Sequence, residues 1–371
     1  MVQAQELLQS AVQWPLITED MPGLGGSVKM EPEDFVVEEI PLYPFSGDGD
    51  YLYLWVEKRD MGAGFFLKQL AARLDISTRE IGLAGLKDRR AVTRQWVSVP
   101  ASAASRVGNL QGGGLRLLDM TRHRNKLRAG HLKGNRFFIR IRQIQPNAEV
   151  ILSRLVERLR TVGLPNYYGW QRFGRQGDTL SRGLELLRCG PRSAVARTTS
   201  PFLRRLALSA LQAALFNVYL TRRRGDDLAR RIVAGDVLCR YLSSRWFRAE
   251  QVAVEQARFD RREIMITGPM FGRKMFRPTG EAARREAQVL DGAGLASEHF
   301  QGWGSLLAGS RRPLWVYVND LETRLDGSDL WLQFTLPAGC YATVLLRELT
   351  HQPPEDSEHD ADDTYNEATT T

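Results

Sequence analysis

The sequence predicts an α+β protein in which an antiparallel sheet flanked by helices is interrupted by a more helical segment. Runs rich in β-branched and aromatic residues, typical of strands, occupy much of the first 160 residues and return after Arg312. An apolar pattern of helical spacing lies between them. The sequence shows no alternation of strands and helices with glycine-rich phosphate loops, which argues against a Rossmann or P-loop fold.

The individual elements follow from residue type and spacing. Apolar residues recur at helical spacing from Phe66 to Leu74 and again from Leu203 to Val218, and each run predicts a helix. The predicted strands are 33–40, 51–57, 94–99, 115–120, 136–141, 314–318 and 330–336. The simplest organisation is a β-rich domain whose last strands rejoin the first part after a helical insertion.

The charge distribution is asymmetric. The 371 residues contain 51 Lys and Arg against 43 Asp and Glu, a net charge of +8. Seven of these acids and no base lie in residues 353–371, which we predict to be a disordered acidic tail because they lack apolar content. Residues 1–352 therefore hold 36 acids against 51 bases, a net charge of +15, which favours a polyanionic partner.

The sequence also argues against a secretory signal, a membrane span and a metal site. The N-terminus has no basic lead into an apolar run, and no stretch of about eighteen apolar residues occurs, so neither a secretory signal nor a membrane span is predicted. Cys189, Cys239 and Cys340 are far apart, and the five histidines do not cluster with them. We therefore predict a cytoplasmic protein without a metal site or a nucleotide cofactor.

One carboxylate lies in a dense group of bases. Residues 82–95 read GLAGLKDRRAVTRQ, and they surround Asp88 with Lys87, Arg89 and Arg90. Nearby cations favour the ionised form of a carboxyl group, and carboxylates serve as covalent nucleophiles at sugar centres. Taken alone, however, the pattern is more typical of a solvated turn with a salt-bridged aspartate.

Two further segments combine an aromatic residue with polar ones. In LKGNRFF (132–138), the amide of Asn135 and the ring of Phe137 suit an extruded base, although Phe137 or Phe138 also fits a core position on a strand. In PNYYGWQRFGR (165–175), which includes Arg172 and Phe173, the composition fits a surface for stacking and phosphate contacts, or a plug between two domains.

The N-terminal segment GGSVKM (25–30) contributes Lys29. Its ammonium group suits contact with a phosphate or with the nucleophile, whereas the simpler interpretation is a surface lysine.

Together these segments make the chain resemble the TruD family of pseudouridine synthases. The resemblance follows the order and spacing of segments along nearly the whole chain. The segments are GGSVKMEPEDFVVEE, GLKDRRAVTRQ, LKGNRFF, PNYYGWQRFG, TGPMFG, SRRPL and LPAGCYATVLLRE. The resemblance changes the interpretation of Asp88 from a residue of a surface turn to a catalytic residue.

The resemblance implies an enzyme that isomerises uridine in tRNA to pseudouridine, at uridine 13 of the D arm. The reaction would pass through a covalent intermediate that Asp88 forms either with the base or with C1′ of the ribose. Such enzymes use no metal or organic cofactor. Phe137 would pack on the flipped uracil and Asn135 would help to fix the pocket, with Lys29 and Gln95 as further contacts to the substrate. The predicted RNA contacts are Arg89, Arg90, Arg172 and Phe173.

The resemblance also implies a domain organisation. A discontinuous catalytic domain of residues 1–163 and 313–352 would contain a mixed, largely antiparallel sheet flanked by helices. Residues 164–312 would form the inserted α/β TRUD domain characteristic of this family. The expected partner is tRNA, and the expected oligomeric state is a monomer.

Two other functions remain open from the residues. One is a non-catalytic RNA-binding protein on the same scaffold, although a pure binder gains nothing from a carboxylate that faces phosphates. The other is a glycosidase-like hydrolase acting on nucleosides, which normally needs a second carboxylate, and no paired acidic motif accompanies GLKD. The products separate the three functions, namely isomerised uridine, unchanged RNA or released uracil.

The charge asymmetry leads to a first prediction. The affinity for tRNA should fall steeply with salt, because each phosphate that the basic body neutralises adds nearly one unit of slope in log K against log salt. Deleting residues 353–371 should not weaken binding, since the tail can only compete with RNA for basic surface. Binding of the full-length and truncated proteins to one tRNA across a salt series tests this. A flat salt response, or a large loss of affinity on truncation, would contradict it.

Overall fold

The computed structural model describes residues 2–241, 243 and 245–352, so the predicted acidic tail (353–371) lies outside the described residues. The chain divides into two compact units. One, here called the middle unit, contains the chain up to Glu19 and then Gly163–Tyr317. The other, here called the sheet unit, contains Asp20–Val162 and resumes at Val318.

The described residues form nine α-helices and sixteen strands. The helices are α1 (Val2–Val12), α2 (Ala63–Leu74), α3 (Ala148–Val162), α4 (Asp178–Cys189), α5 (Ala194–Thr198), α6 (Pro201–Gly225), α7 (Val252–Asp260), α8 (Gly280–Gly292) and α9 (Ala342–Thr350). The strands are β1 (Ser27–Val28), β2 (Phe35–Pro41), β3 (Tyr51–Arg59), β4 (Gly82–Leu83), β5 (Val92–Pro100), β6 (Gln111–Gly112), β7 (Leu115–His123), β8 (Leu132–Arg142), β9 (Leu164–Pro165), β10 (Val237–Arg240), β11 (Trp246–Arg248), β12 (Ile264–Met270), β13 (Ser310–Pro313), β14 (Trp315–Val316), β15 (Glu322–Asp326) and β16 (Asp329–Pro337).

The sheet unit is built on a ten-stranded sheet. Its strands follow the order β15-β16-β8-β2-β5-β3-β7-β6, with β1 paired to β8 and β4 paired to β5. Only the pair β2–β5 is parallel among the strands described in this sheet. The predicted mixed, largely antiparallel sheet flanked by helices is therefore confirmed. The last strands do return to the first part of the chain, because β16 pairs with β8 from Leu330–Ile141 to Pro337–Gly134.

Helix α2 covers one face of this sheet. Its residues Phe66, Leu70 and Leu74 pack in one apolar cluster with inward-facing residues of β3 and β5, such as Val56 and Val97. The helical spacing of these three residues is what allows them to face the sheet together. Strand β3 continues on the same face past Val56 to Lys58, two residues further along.

The middle unit is organised around α6. This helix begins at Pro201, a residue that is favourable at the first helical position. Ser200 caps it, because its side chain accepts a hydrogen bond from the Leu203 amide. Most of its middle turns are buried, so the apolar pattern from Leu203 to Val218 corresponds to a central helix. A four-stranded antiparallel sheet, β11-β10-β12-β13, lies in the same unit. In the described part of the chain, no helix is both long and apolar enough to cross a membrane.

The residues before Asp20 belong to the middle unit, whereas the sequence analysis grouped residues 1–163 together. The physical reason is a buried amide on α6. Asn217 donates to the carbonyl oxygens of Ala11 (2.8 Å) and Tyr168 (2.9 Å) and accepts from the Tyr168 amide (2.8 Å). Trp14 also stacks on Tyr167, with ring centroids 4.4 Å apart. The catalytic and inserted labels of the two units stay predictions.

This arrangement predicts that Asn217→Leu destabilises the protein strongly. The substitution leaves one amide and two carbonyl groups without their partner, and each unpaired buried group costs about 1–3 kcal/mol. We expect the free energy of unfolding to fall by roughly 3 kcal/mol or more, measured by urea unfolding and circular dichroism. Gln212→Met on the same helix, which removes the donor to Phe271 O, should cost about 1 kcal/mol. Equal stabilities of both variants would contradict the bridging role of Asn217.

Candidate active site

Asp88 lies on an irregular segment, residues 84–91, between β4 and β5. Its Oδ2 accepts a hydrogen bond from Nζ of Lys29 at 2.8 Å. The Asp88 side chain is 37% exposed and the Lys29 side chain 16% exposed, so the pair is open to solvent on the carboxylate side. The structure thus brings together two residues that are far apart in sequence and that the sequence analysis had placed in the same site.

The position of Lys29 depends on its backbone and on an aromatic ring. Strand β1 pairs Val28 with Ile141 of β8, and Lys29 follows with φ of 57°, a left-handed conformation that is uncommon for a residue other than glycine. Its Nζ lies 4.3 Å from the centroid of the Phe35 ring, a cation–π contact. Strained backbone of this kind is frequent at functional sites, where surrounding contacts hold it.

The charges around Asp88 keep it ionised. Partial burial alone would raise the pKa of Asp88. The ammonium groups of Lys29, Lys58 and Lys87 outweigh that effect, and the pKa of Asp88 lies below its ordinary value. A carboxylate with a lowered pKa is suited to nucleophilic attack and unsuited to act as a general acid.

Two predicted substrate contacts, Gln95 and Asn135, lie on one face of the sheet unit. Asn135 on β8 is directly opposite Glu39 on β2. On the other side of β2, Glu38 is opposite Arg94 on β5, so the residues that follow them, Glu39 and Gln95, share the other face. Directly opposed residues of neighbouring strands share a face, so β2 separates the two amides by about one strand. Gln95 Oε1 and Asn135 Oδ1 are both buried without a hydrogen-bond partner. Buried acceptors are usually paired, so these two oxygens are available to donors of a ligand.

The Phe137 ring is buried, so it is not an openly accessible surface on which a base could stack. It is 6% exposed, and its ring stacks on Phe334 with the centroids 5.2 Å apart. It also packs in a T-shaped arrangement with Phe35, with the centroids 6.1 Å apart. Phe137 thus forms part of an aromatic wall on the face that carries Asn135. The glycine of the same motif is required by the sheet, because a Cβ on Gly134 would lie 2.5 Å from the Leu336 carbonyl oxygen.

Two buried charged residues next to the site, Glu39 and Lys58, were not predicted from the sequence. Glu39 accepts from Lys87 Nζ and from the Trp96 amide, and burial raises the pKa of Glu39 in spite of the neighbouring Lys87. Lys58 on β3 is 1% exposed and donates to main-chain oxygens of the Asp88 segment. The sequence contained an indication of Glu39. Residues 35, 37 and 39 alternate onto the same buried face of β2, and Glu39 is a charged residue at a position where Phe35 and Val37 are apolar.

The predicted RNA contacts fall in both units. Arg89 and Arg90 flank Asp88 in the sheet unit, and the exposed Arg90 donates to the Met30 carbonyl oxygen at 3.2 Å. Arg172 in the middle unit is partly exposed and donates to Ser209 Oγ at 2.7 Å. Phe173 requires a correction: its side chain is fully buried, because it packs into the interior of its unit, and it offers RNA no surface.

Among the described residues, no group of three or more His, Cys, Asp or Glu side chains is arranged to hold a metal ion.

The chain is similar to known proteins along almost its whole length. The family model described as tRNA pseudouridine synthase D (TruD) matches residues 12–202 and 192–349. The tRNA pseudouridine synthase D of Thermus thermophilus is 41% identical over 361 residues, covering 94% of this chain and 97% of that protein. A relative of the same name from an Anaeromyxobacter species is 41% identical over 350 residues, covering 94% of this chain and 99% of that protein.

A solved structure supports the same relationship. The crystal structure of the putative tRNA pseudouridine synthase D from Methanosarcina mazei matches this fold with a TM-score of 0.72 at 26% sequence identity. The match covers 94% of this chain and 98% of that one.

The Lys29–Asp88 contact predicts a pH-dependent loss of stability in Lys29→Met. A group whose pKa is lowered in the folded state stabilises the protein above its unfolded pKa, about 3.9 for Asp, and this contribution disappears as pH falls through the folded pKa. The melting temperatures of wild type and variant should therefore differ most above about pH 5, and the difference should shrink as pH falls below about 3.9. Lys29→Arg, which keeps the charge, should show a smaller difference. A difference that grows on acidification would contradict the assignment.

Proposed function

The chain belongs to the TruD family of tRNA pseudouridine synthases, and from that premise we propose that it isomerises uridine in tRNA to pseudouridine with Asp88 as the nucleophile. In this reaction the N1–C1′ bond of uridine breaks and a C5–C1′ bond forms to the same ribose. The C5 proton is lost and N1 gains one. The observation that carries the proposal is the Lys29–Asp88 pair, an ionised and partly exposed carboxylate next to a sheet face with two unpartnered amide oxygens.

Asp88 suits covalent catalysis because its carboxylate is both ionised and accessible. The lowered pKa keeps the carboxylate ionised at neutral pH, so that no base is needed to activate it. Its 37% exposure leaves the carboxylate accessible to a nucleotide that has been flipped out of an RNA stack. A binding protein that recognises phosphate would gain nothing from this charge.

The neighbouring polar and aromatic groups suit a uracil ring. Gln95 Oε1 and Asn135 Oδ1 are acceptors without partners. Uracil presents the N3–H donor throughout, and an N1–H donor in the product, after N1 has been protonated. We assign Phe137 to the aromatic wall of this pocket, where it packs on the base. Pairing these donors offsets part of the cost of extruding the nucleotide, which is a few kcal/mol.

The finer assignments rest on the resemblance of the motifs. We propose uridine 13 in the D arm as the target, a covalent Asp88 intermediate, and RNA contacts by Arg89, Arg90 and Arg172. Backbone contacts by arginine position an RNA but do not read its sequence. The choice of uridine must therefore come from the shape of the tRNA and from the pocket.

The central test is Asp88→Asn. The amide keeps the shape of the side chain but is not a competent nucleophile, so turnover on tRNA lacking the modification should fall below about a hundredth of wild type. Affinity for tRNA should stay within about threefold, since binding energy comes from the basic surface. Pseudouridine is measured by chemical labelling and primer extension, which also reports its position.

A matched control and the contrary outcomes complete this experiment. Asp75→Asn changes an exposed aspartate of the same unit, 82% exposed in its ion pair with Arg106, and should leave turnover unchanged. Turnover by Asp88→Asn near that of wild type would remove Asp88 from the nucleophile role. Unchanged RNA or free uracil from wild type would indicate the binding protein or the hydrolase, and a product at another uridine would refute only the position.

A further inference from the structure

Asp88 needs support from outside its own segment. Residues 84–91 form no helix or strand, and an irregular segment does not by itself fix a side chain within the tolerance that catalysis requires. Lys29 fixes one carboxylate oxygen but leaves the main chain of the segment unconstrained. The contacts that hold this main chain are therefore of functional interest.

The first such contact comes from Lys58. Its side chain is almost fully buried, and its Nζ donates to the main-chain oxygens of Asp88 (2.9 Å), Lys87 (3.5 Å) and Met61 (2.5 Å). An ammonium group has three donors, and three main-chain carbonyl oxygens lie within hydrogen-bond distance of this one. Lys58 thus links the Asp88 segment to the residues that precede α2, which is itself packed on the sheet.

The second contact comes from Lys87 and Glu39. The Lys87 side chain is 6% exposed and the Glu39 side chain 2% exposed, and they form an ion pair beneath the segment. Glu39 Oε2 accepts from the Trp96 amide at 3.0 Å, so the pair is joined to the backbone of β5 as well as to β2. Lys87 and Asp88 are consecutive, yet one side chain is buried against the sheet while the other contacts Lys29.

Stability alone is a poor explanation for these buried charges. Removing a lysine and a glutamate from water costs several kcal/mol each, and well-packed apolar side chains of similar volume are often as stable or more stable. Buried charged groups do something here that apolar residues cannot do. Their oriented hydrogen bonds fix the direction of the backbone, and the Lys58 ammonium group adds positive charge near Asp88.

We propose that Lys58 and the Lys87–Glu39 pair, together called the loop anchor, are positioning residues of the isomerase: they hold the main chain of Asp88 so that its carboxylate faces Lys29 and the substrate. The proposal rests on the proposed function. None of the three residues needs to touch the RNA. Their effect on turnover passes through the placement and the ionisation of Asp88.

The ionisation of Asp88 depends on all the charges that face it. Lys29 contacts it from the segment after β1, Lys58 from β3, and Lys87 from the adjacent position, while Glu39 on β2 compensates Lys87. Arg89 and Arg90 lie on the segment itself. Removing the Lys58 charge therefore raises the pKa of Asp88 and moves the acidic limb of the pH–rate profile to higher pH.

The test compares Lys58→Met with Lys58→Arg on unmodified tRNA. Lys58→Met should lower kcat by about a hundredfold, the cost of a small misplacement of a catalytic group, with KM within about threefold of wild type. Its acidic limb should move to higher pH. Lys58→Arg keeps the charge and several donors and should recover part of kcat. A folded Lys58→Met protein with wild-type kcat and pH profile would overturn the proposal.

A second pair of variants keeps the test decisive if Lys58→Met does not fold. Glu39→Gln retains an acceptor for the Trp96 amide but removes the charge that holds Lys87, and kcat should fall about tenfold with little change in KM. Glu38→Gln is its control, because Glu38 is the preceding residue of β2, points to the opposite face and pairs with Arg94. Equal turnover in these two variants would also overturn the proposal.

The outcomes separate this proposal from the proposed function. If wild type forms no pseudouridine, both fail together. If wild type is active and Asp88→Asn is inactive, but Lys58→Met and Glu39→Gln match wild type, the isomerase stands and the loop anchor is refuted.

Discussion

Strand β2 constrains the geometry of the whole site, because it is hydrogen-bonded in parallel to β5 on one side and antiparallel to β8 on the other. This pairing places the Glu39 side chain within reach of the Trp96 amide and directly opposite Asn135. A slip of one residue in either pairing would turn every side chain of β2 to the other face. The buried ion pair and the two pocket amides would then no longer share a surface.

The two carboxylates of the site have opposite environments. Lys29 and two further lysines lower the pKa of Asp88, which stays partly exposed, whereas burial raises the pKa of Glu39, which is held by Lys87. Their environments therefore suit different roles. Asp88 has the charge and the access that a nucleophile needs, and Glu39 has contacts that fix the segment on which the nucleophile lies.

Local sequence patterns were sufficient for the larger elements. The strand patterns around 51–57, 94–99 and 330–336 correspond to β3, β5 and β16, and the two helical patterns correspond to α2 and α6. The strands of the four-stranded sheet in the middle unit were not recognised. Strands β10 and β11 are only four and three residues long, and β12 is buried along almost its whole length, so none of them shows an alternation of apolar and polar residues. Likewise, no local pattern indicated that α1 would be tied to α6 through Asn217.

Some features of the candidate site could be predicted from the sequence and others could not. The motifs indicated Asp88, Lys29 and Asn135 as residue types suited to the chemistry. The resemblance added Gln95 and named the family to which the chain belongs. They did not show that Phe173 is buried or that Phe137 is stacked within an aromatic wall, since a ring in an alternating sequence has the same pattern whether it meets solvent or another ring.

The sequence by itself determined the charge balance, the main periodic elements and the family, all of which depend on residue identity and on spacing over short stretches. Only the tertiary structure decided which charges meet. Lys29, Lys58 and Glu39 lie 59, 30 and 49 residues before Asp88 along the chain, yet their contacts converge on its segment. The physical reason is that burial and hydrogen-bond partners depend on strand register across the sheet, and register is a property of distant segments taken together.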